Sequence, residues 1–327
     1  MSASRLTIAI EGGDIALPEI GQIAVFGPRA GYDLSALPKD RVVVITGFHP
    51  DYMHFEGQGF ACAVVPEGRF AAAILCLPRA KPLARALLAQ AAELSDLVIV
   101  DGAKTDGIES ILKDVRKRVE ISAPLSKAHG KIFSLQGSDD FADWVAAPSS
   151  VIDGFVTAPG VFSADGVDPG SAMLATHLPK KLGAQVADLG GGWGYLSRAV
   201  LEHDGVETLY LVEADHAALD CARLNIDDPR VEFHWADATH WQTPSFLDTI
   251  VMNPPFHTGR AADPSLGRAF VQAAAAMLKP AGQLWMVANR HLPYETTLAQ
   301  AFVQSEEVAG DTKFKILRGT RPAIKRR

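Results

Sequence analysis

The sequence predicts an α/β protein of two tandem domains, each a mostly parallel sheet covered by helices. Three observations support this fold class. The chain has 327 residues, which at roughly 150 residues per domain is enough for about two domains. Apolar strand-like runs alternate with helix-like segments in both halves. A glycine-rich turn follows one predicted strand and opens a helix, as at the ligand sites of doubly wound sheets.

The composition excludes several classes of protein. Hydrophobic residues make up 48% and charged residues 21% of the chain, a balance that excludes a wholly disordered protein. The three cysteines, Cys62, Cys76 and Cys221, are far apart and lack C-x-x-C spacing. They predict neither a disulfide framework nor a zinc site, and we therefore expect a cytoplasmic protein without a metal. No apolar run approaches the ~18 residues of a membrane span, so we expect no membrane partner.

In the N-terminal half, apolar and β-branched runs predict strands, and longer stretches of helix-forming residues predict helices. The predicted strands are 41–46, 70–77 and 97–100, and the predicted helices are 82–93 and 108–118. Segment 101–107 lacks the G-K-[ST] ending of a phosphate loop and is interpreted as a turn. Residues 134–150 lose the periodicity and end in Pro-Ser-Ser, which predicts a linker. We accordingly expect one domain over 1–140 and a second over 151–327.

A glycine-rich turn marks the start of the C-terminal half. A strand ends at Asp188, and Gly190, Gly192 and Gly194 follow at alternate positions before a helix begins at Tyr195. Glycines let the backbone turn sharply and let a ligand approach the helix N-terminus closely. A dinucleotide fingerprint would require its third glycine where Tyr195 stands. The pattern D-x-G-x-G-x-G instead resembles motif I of class I S-adenosylmethionine methyltransferases, so its acid and three glycines are candidate cofactor-binding residues.

The next two predicted strands also lead to acids. Thr208–Glu213 ends at Glu213, whose carboxylate can accept hydrogen bonds from both hydroxyls of a ribose, with Asp215 as the alternative. The strand after it, Val231–Trp235, is followed by Asp237, which could bond an adenine amino group or cap a helix. Together with Asp188, these acids stand at three successive strand ends, which favours a nucleoside cofactor.

A fourth predicted strand runs directly into the sequence Asn253-Pro254-Pro255-Phe256. The exocyclic amine of a base, or an amide, has a delocalised lone pair and is a poor nucleophile. It needs acceptors aimed at its N–H groups before the lone pair can point at a methyl donor. The Asn253 side-chain oxygen and the Pro254 carbonyl can supply two acceptors. The two prolines remove competing N–H donors and stiffen the loop. Phe256 offers a face on which a flipped base can stack. All four are candidate catalytic residues.

With these motifs, the chain resembles the RsmC-like family of ribosomal RNA small-subunit guanine-N2 methyltransferases. The resemblance is clear over 151–327 and looser over roughly 70–135. The matching segments are PGVFSADGVDPGS at 159–171, NPPFHTG at 253–259, VANRHLPY at 287–294 and FKILRGTR at 314–321.

The resemblance implies two tandem class I methyltransferase domains, of which only the C-terminal one binds S-adenosylmethionine. It implies that the N-terminal domain is a degenerate copy that supports catalysis and helps recognise RNA. The product that the resemblance implies is a methylated guanine N2 amine in 16S ribosomal RNA, and the expected partner is the small ribosomal subunit. Segment 160–170 resembles the element that covers the cofactor, and Phe162 and Asp168 are our candidates within it. We expect a monomer.

Other residues keep two interpretations. Trp193 departs from the family pattern, and either reshapes the cofactor pocket or has a surface or interdomain role. His257 stands beside the catalytic loop and could touch substrate. Tyr294 could pack near the target base, but a core position is favoured.

The net charge of −7 argues against a protein that is basic all over, but two stretches run against it. Residues 79–131 hold 10 basic and 7 acidic side chains, and residues 313–327 hold 7 basic and none acidic. Each stretch is either an anion contact or an ordinary solvated surface.

Alternative functions share parts of this pattern. A large-subunit guanine-N2 methyltransferase has the same two-domain layout, and DNA adenine-N6 and protein glutamine-N5 methyltransferases also use N-P-P loops. A non-catalytic RNA-binding or assembly protein is the alternative from a different class. Such a protein would be expected to lose the glycine turn or the N-P-P-F sequence, and both are intact in this chain.

Overall fold

The computed structural model describes residues 4–145, 150–255 and 264–323. The chain divides into two compact units, Met1–Ser149 and Ser150–Arg327. Each unit is an α/β layer around a seven-stranded, mostly parallel sheet, which confirms the predicted fold class.

The N-terminal unit builds its sheet in the order β3-β2-β1-β4-β5-β7-β6. The strands are β1 (Ile23–Phe26), β2 (Val42–Ile45), β3 (Ala61–Ala63), β4 (Phe70–Cys76), β5 (Ser95–Ala103), β6 (Leu125–Lys127) and β7 (Gly130–Gln136). The helices are α1 (Arg5–Glu11), α2 (His49–Gly57), α3 (Lys81–Leu94) and α4 (Ile108–Val115). Strand β7 pairs antiparallel with β5 and β6, whereas β1 to β5 pair in parallel.

The C-terminal unit repeats this order as β12-β11-β10-β13-β14-β16-β15. Its strands are β10 (Gln185–Leu189), β11 (Thr208–Glu213), β12 (Val231–Trp235), β13 (Leu247–Met252), β14 (Leu278–Asn289), β15 (Phe302–Gly310) and β16 (Phe314–Pro322), and a hairpin of β8 (Ser150–Ile152) and β9 (Phe155–Thr157) precedes them. Its helices are α5 (Pro169–His177), α6 (Tyr195–Leu201), α7 (His216–Asn225), α8 (Pro264–Met277) and α9 (Glu295–Ala301). Strand β16 is antiparallel to both neighbours.

The central parallel strands are buried on both faces, which explains why they consist of nearly continuous apolar runs. All four residues of β1 are fully buried, and so are Val186, Ala187, Asp188 and Leu189 in β10. Asp188 is therefore a fully buried carboxyl group near the end of an apolar strand, where the fold alone gives no reason for it. Tyr294 is 1% exposed within this core, as the favoured interpretation expected.

The predicted linker over 134–150 is wrong in its first part. Strand β7 continues to Gln136, and the aromatic rings of Phe141 and Trp144 are buried in the core of the N-terminal unit. Arg118 also lies over the Trp144 ring, at 4.6 Å. This polar, aperiodic sequence ends the N-terminal unit by inserting two aromatic side chains.

In the part of the chain that the structure describes, no helix is long and apolar enough to cross a membrane.

Candidate active site

A cavity opens at the carboxyl edge of the C-terminal sheet, where three segments meet: the covering segment 160–170, the loop after β10, and the end of β13. It brings together five of the candidate catalytic and cofactor-binding residues: Phe162, Asp168, Gly190, Gly192 and Asn253. Its other lining residues are Ser163, Ser171, Gly191, Trp193, Tyr195 and Leu196. The lining does not include the other described candidates, which are Asp188, Gly194, Glu213, Asp237, Pro254 and Pro255.

The loop after β10 requires its glycines for conformational reasons. Gly190, Gly192 and Gly194 have φ of 73°, 56° and 94°, in the left-handed region that costs other residues free energy. A Cβ atom at Gly194 would also lie 2.7 Å from the side chain of Ile226. The loop therefore turns straight from the strand into α6, which leaves its backbone open to the cavity.

Asp188 lies beneath this loop and is fully buried. Its Oδ2 atom accepts a hydrogen bond from the Ser197 hydroxyl at 2.7 Å, and its Oδ1 atom has no partner among the described residues. Burial, reinforced by the nearby charge of Glu213, raises the pKa of Asp188 to about 7 against the opposing effect of the Ser197 bond. An unpartnered buried carboxyl oxygen is costly unless a ligand supplies a donor.

Glu213 ends β11 and is tied to the glycine loop. Its two carboxylate oxygens accept backbone hydrogen bonds from Gly192 and Asp215, each at 2.8 Å. Burial raises the pKa of Glu213, although these backbone bonds favour the charged form. Asp215 itself caps helix α7 by accepting from the Ala217 amide at 3.0 Å, so the alternative acid is already committed to a local role.

Asp237 is held within a local turn. Its Oδ1 atom accepts from the amide and hydroxyl of Thr239, at 2.8 and 2.7 Å, and its Oδ2 atom is 2.9 Å from Nδ1 of His240. Burial would raise the pKa of Asp237, but these bonds outweigh it and the pKa is lowered. The observed contacts are those of a turn, and its adenine role stays a prediction.

Trp193 fastens the covering segment to the glycine loop. The side chain is 5% exposed, and its indole N–H donates to the Phe162 carbonyl at 2.9 Å. Its ring packs against Phe155 of the β8–β9 hairpin, with centroids 4.8 Å apart. Asn225 joins the same elements by donating to the carbonyls of Trp193 and Val156. Of the two interpretations, the surface position is wrong, because Trp193 is buried and lines the cavity.

Asn253 follows the last residue of β13. Its Nδ2 atom donates to Asp168 Oδ2 and to Ser171 Oγ, both at 2.9 Å. The next residue, Pro254, is buried, and Pro255 is exposed. Phe256 and His257 lie outside the described residues. Ser171 and Ser197 were not among the candidates from the sequence. The Asp-Pro pair at 168–169 is a typical signal of a helix N-terminus and could have pointed to the first turn in which Ser171 lies.

Two of the four described basic side chains in the basic stretch 313–327 are already paired within the protein. Lys315 is buried against Glu295 at 2.5 Å, and Arg318 pairs with Glu306 while lying over the Trp285 ring. Positions 324–327 lie outside the described residues. The described part of this basic stretch therefore offers few charges to an anionic partner.

The N-terminal sheet repeats the frame of the glycine loop. The Gly27 amide donates a hydrogen bond to the Ile45 carbonyl, and the Gly190 amide donates one to the Val212 carbonyl, both at 2.8 Å. The left-handed glycines of the two loops correspond in position. Gly27 (φ 61°) corresponds to Gly190, and Gly31 (φ 89°) corresponds to Gly194.

The polar side chains of the site are missing from this repeat. Aligning the two loops through the strand registers places apolar or weakly polar residues where the C-terminal unit has its two acids and its asparagine. The pairs are Val25 for Asp188, Thr46 for Glu213 and Cys76 for Asn253. The N-terminal sheet thus keeps the backbone of the site without its chemistry, which confirms that it is a degenerate copy.

Among the described residues, no group of three or more His, Cys, Asp or Glu side chains could hold a metal ion.

Comparisons with known proteins agree with this geometry. A family model described as the methyltransferase small domain matches residues 153–318. The ribosomal RNA small subunit methyltransferase C of a Shewanella sp. is 30% identical over 288 residues, which cover 81% of this chain and 83% of the relative. The ribosomal RNA large subunit methyltransferase G of Stutzerimonas stutzeri is 38% identical over 164 residues, but these cover 48% of this chain and 44% of the relative.

A solved structure shares the fold over nearly the whole chain. The T. thermophilus 16S rRNA N2 methyltransferase RsmC, in complex with AdoMet and guanosine, matches with a TM-score of 0.79 at 24% identity. The match covers 94% of this chain and 90% of that one.

The buried Asp188 predicts a specific pH dependence of stability. In the unfolded chain Asp188 has the ordinary aspartate pKa of about 3.8, whereas in the folded protein its pKa is raised to about 7. The folded state binds more protons between these values, so the free energy of unfolding falls as the pH rises through this window. From pH 5 to pH 7.5 the loss is roughly 3 kcal/mol. Urea denaturation followed by tryptophan fluorescence measures it, since four of the five tryptophans lie in the C-terminal unit.

The matched variant is Asp188→Asn, which cannot titrate. Its free energy of unfolding should change less over the same pH range than that of the wild type. Parallel pH dependences in the two proteins would show that Asp188 is not the titrating group.

Proposed function

The chain belongs to the ribosomal RNA small subunit methyltransferase C family, and on this premise we propose that it methylates a guanine N2 amine of 16S ribosomal RNA with S-adenosylmethionine as the methyl donor. The protein is a methyltransferase, and its C-terminal unit carries the methyltransferase small domain. The observation that carries the proposal is the position of Asn253: it lies in the same cavity as the glycine loop, with its amide nitrogen held by Asp168 and Ser171.

The residues around the glycine loop fit S-adenosylmethionine. This cofactor supplies a methyl group on a positively charged sulfonium centre. The unpartnered Oδ1 atom of Asp188 can accept from its ammonium group, and the open backbone at Gly190 and Gly192 lets the ligand approach closely. The Glu213 carboxylate keeps lone pairs for ribose hydroxyls after accepting its two backbone bonds. In this proposal Asp188 and Glu213 bind cofactor, and Asp237 remains a candidate for the adenine.

The end of β13 fits a planar amine as methyl acceptor. The Asn253 oxygen and the Pro254 carbonyl can accept from the two N–H groups of the amine, which turns its lone pair toward the methyl group. When bound, S-adenosylmethionine would supply the methyl group and leave as S-adenosylhomocysteine. Asn253 and Pro254 would orient the amine nitrogen, whose proton would pass to water. Burial of Pro254 and the ring constraint of Pro255 keep this carbonyl fixed during the reaction. Phe256 is retained as the proposed stacking partner of the base.

We also propose that the N-terminal unit contributes phosphate contacts through the carboxyl edge of its sheet. Arg79 follows β4, Lys104 follows β5, and Lys127 ends β6 beside them, since the Lys104 amide bonds the His129 carbonyl in the β6–β7 turn. All three basic side chains are exposed. By contrast, Lys81 and Arg85 of the same stretch are paired with Asp114. A net acidic protein can therefore still present a local basic edge to RNA.

The proposed setting is a monomer in the cytoplasm. Cys62, Cys76 and Cys221 are all free thiols, as expected in a reducing compartment.

The activity is tested by transfer of a tritiated methyl group to small and large ribosomal subunits from cells that lack these modifications. The product is then digested to nucleosides. N2-methylguanosine in small-subunit RNA is the expected result. Product only in large-subunit RNA would favour the alternative suggested by the large subunit methyltransferase G, and product in neither subunit would contradict the proposal.

Asn253→Ala should lower kcat about 100- to 1000-fold, because it removes one acceptor from the reacting amine. Binding of S-adenosylhomocysteine, measured by calorimetry, should change by less than about threefold. The matched control is Asn289→Ala, the same change at the end of the neighbouring strand β14, which should leave kcat near the wild-type value. A fully active Asn253→Ala enzyme would remove Asn253 from the catalytic residues.

Neutralising the basic edge should weaken RNA binding and reduce its dependence on salt. In the triple variant Arg79→Ala, Lys104→Ala, Lys127→Ala, the slope of log affinity against log salt should become shallower by about 2, since each lost phosphate contact removes about 0.7 to 0.9. Filter binding between 50 and 300 mM KCl measures the slope.

The control carries the same number of substitutions at the opposite edge of the sheet, where α4 ends: Lys113→Ala, Arg116→Ala and Lys117→Ala. All three side chains are exposed. Equal slopes for the two triple variants would show that the basic edge is ordinary surface.

A further inference from the structure

The side chain of Asn253 is held in one orientation by two neighbours from α5. Its Nδ2 atom lies 2.9 Å from Asp168 Oδ2 and 2.9 Å from Ser171 Oγ. These partners are 85 and 82 residues away in the sequence. The two bonds use both hydrogens of the amide nitrogen, so its donor capacity is fully occupied.

The chemistry of Asp168 decides which way the carboxamide points. A carboxylate has lone pairs and no hydrogen to donate, so only the NH2 end of Asn253 can face it. The oxygen end is therefore the polar atom left for a substrate, and it can only accept. A flipped carboxamide would place two acceptors against each other and lose a charge-assisted hydrogen bond.

The two anchors are themselves fixed. Asp168 is the N-cap of α5, and the same Oδ2 atom accepts from the Ser171 amide at 2.8 Å. Ser171 is 7% exposed in the first turn of that helix. A site residue held by partners on a packed helix loses little freedom when the substrate arrives, which is how a supporting shell preorganises a reacting geometry.

This arrangement discriminates between bases by the atom that they present. An exocyclic amine can donate an N–H to the Asn253 oxygen, whereas a ring carbonyl would meet another acceptor. A buried polar contact that one ligand can satisfy and another cannot gives strong discrimination.

We propose that Asp168 and Ser171 are positioning residues that lock Asn253 as a pure hydrogen-bond acceptor, and that this lock makes the catalytic loop selective for an amine donor. The proposal rests on the proposed function and deepens it. It gives Asp168 a second role besides lining the cofactor cavity, since its carboxylate sets the orientation of the catalytic asparagine.

The test uses single-turnover methyl transfer to undermethylated small subunits, with S-adenosylhomocysteine affinity and thermal melting measured on each variant. Asp168→Ser keeps a good N-cap residue but is too short to reach Asn253. It should lower the transfer rate about 10- to 100-fold, with KM for the subunit and cofactor affinity changed less than threefold. Ser171→Ala should lower the rate about 3- to 10-fold. Thr176→Ala removes an exposed hydroxyl from the same helix and should leave the rate unchanged.

A reciprocal exchange separates positioning from folding. Asn253→Asp alone places two carboxylates against each other and should nearly abolish transfer. Adding Asp168→Asn restores a donor opposite an acceptor and leaves one oxygen of residue 253 free for the amine. The new NH2 group replaces the Oδ2 atom that accepts from the Ser171 amide, so the double variant gives up that N-cap bond. The double variant should be at least tenfold faster than Asn253→Asp, a gain that a merely structural role for Asp168 would not produce.

The outcomes are distinct. Wild-type rates for Asp168→Ser and Ser171→Ala, or a double variant no faster than Asn253→Asp, would overturn the proposal while the wild type still methylates guanine. No methyl transfer by the wild-type protein to either subunit would instead overturn the proposed function, and this inference with it.

Discussion

The left-handed loop after β10 is the constraint on which the rest of the site depends. Its three alternate glycines let the chain leave a fully buried strand and enter α6 within a few residues. Each neighbouring part of the site is tied to this loop by a named contact. Glu213 accepts from its backbone, Asp188 lies beneath it, and Trp193 holds the covering segment against it. A side chain at any of the three glycines would strain the backbone that these contacts share.

The N-terminal unit shows which features the fold needs and which it does not. It has the same strand order and the same left-handed turn after its central strand, yet Val25, Thr46 and Cys76 stand where the C-terminal unit has two acids and an asparagine. The frame therefore forms without the polar residues. Burying the carboxyl group of Asp188 in such a strand costs several kcal/mol of folding free energy. A residue that the fold can omit, and that costs stability where it is present, is one retained for binding or catalysis.

The sequence predicted the ends of a strand closely where the residues of that strand alone carried the signal. Thr208–Glu213 and Val231–Trp235 were predicted with their observed ends, because β-branched runs stop at acids or turns. Strand β1 was missed, although the FGPRAGY that follows it parallels the LGGGWGY after β10. The pairing of Lys315 with Glu295, and of Asn253 with Asp168, depends on tertiary packing. No spacing rule within one segment could have predicted such contacts.

The covering segment connects the two halves of the proposed chemistry. At one end, the Phe162 carbonyl is held by Trp193 of the glycine loop, and six residues later Asp168 holds Asn253. Between these points the segment is stiffened by bonds from Thr157 to the Ala164 carbonyl and from Ser163 to the Gly166 carbonyl, at 2.9 and 2.7 Å. Methyl transfer requires donor and acceptor to be held within a fraction of an ångström of the reactive geometry. The covering segment is internally bonded and hydrogen-bonded both to the glycine loop and to Asn253, so in the proposed reaction it helps to fix the separation of these two parts of the site.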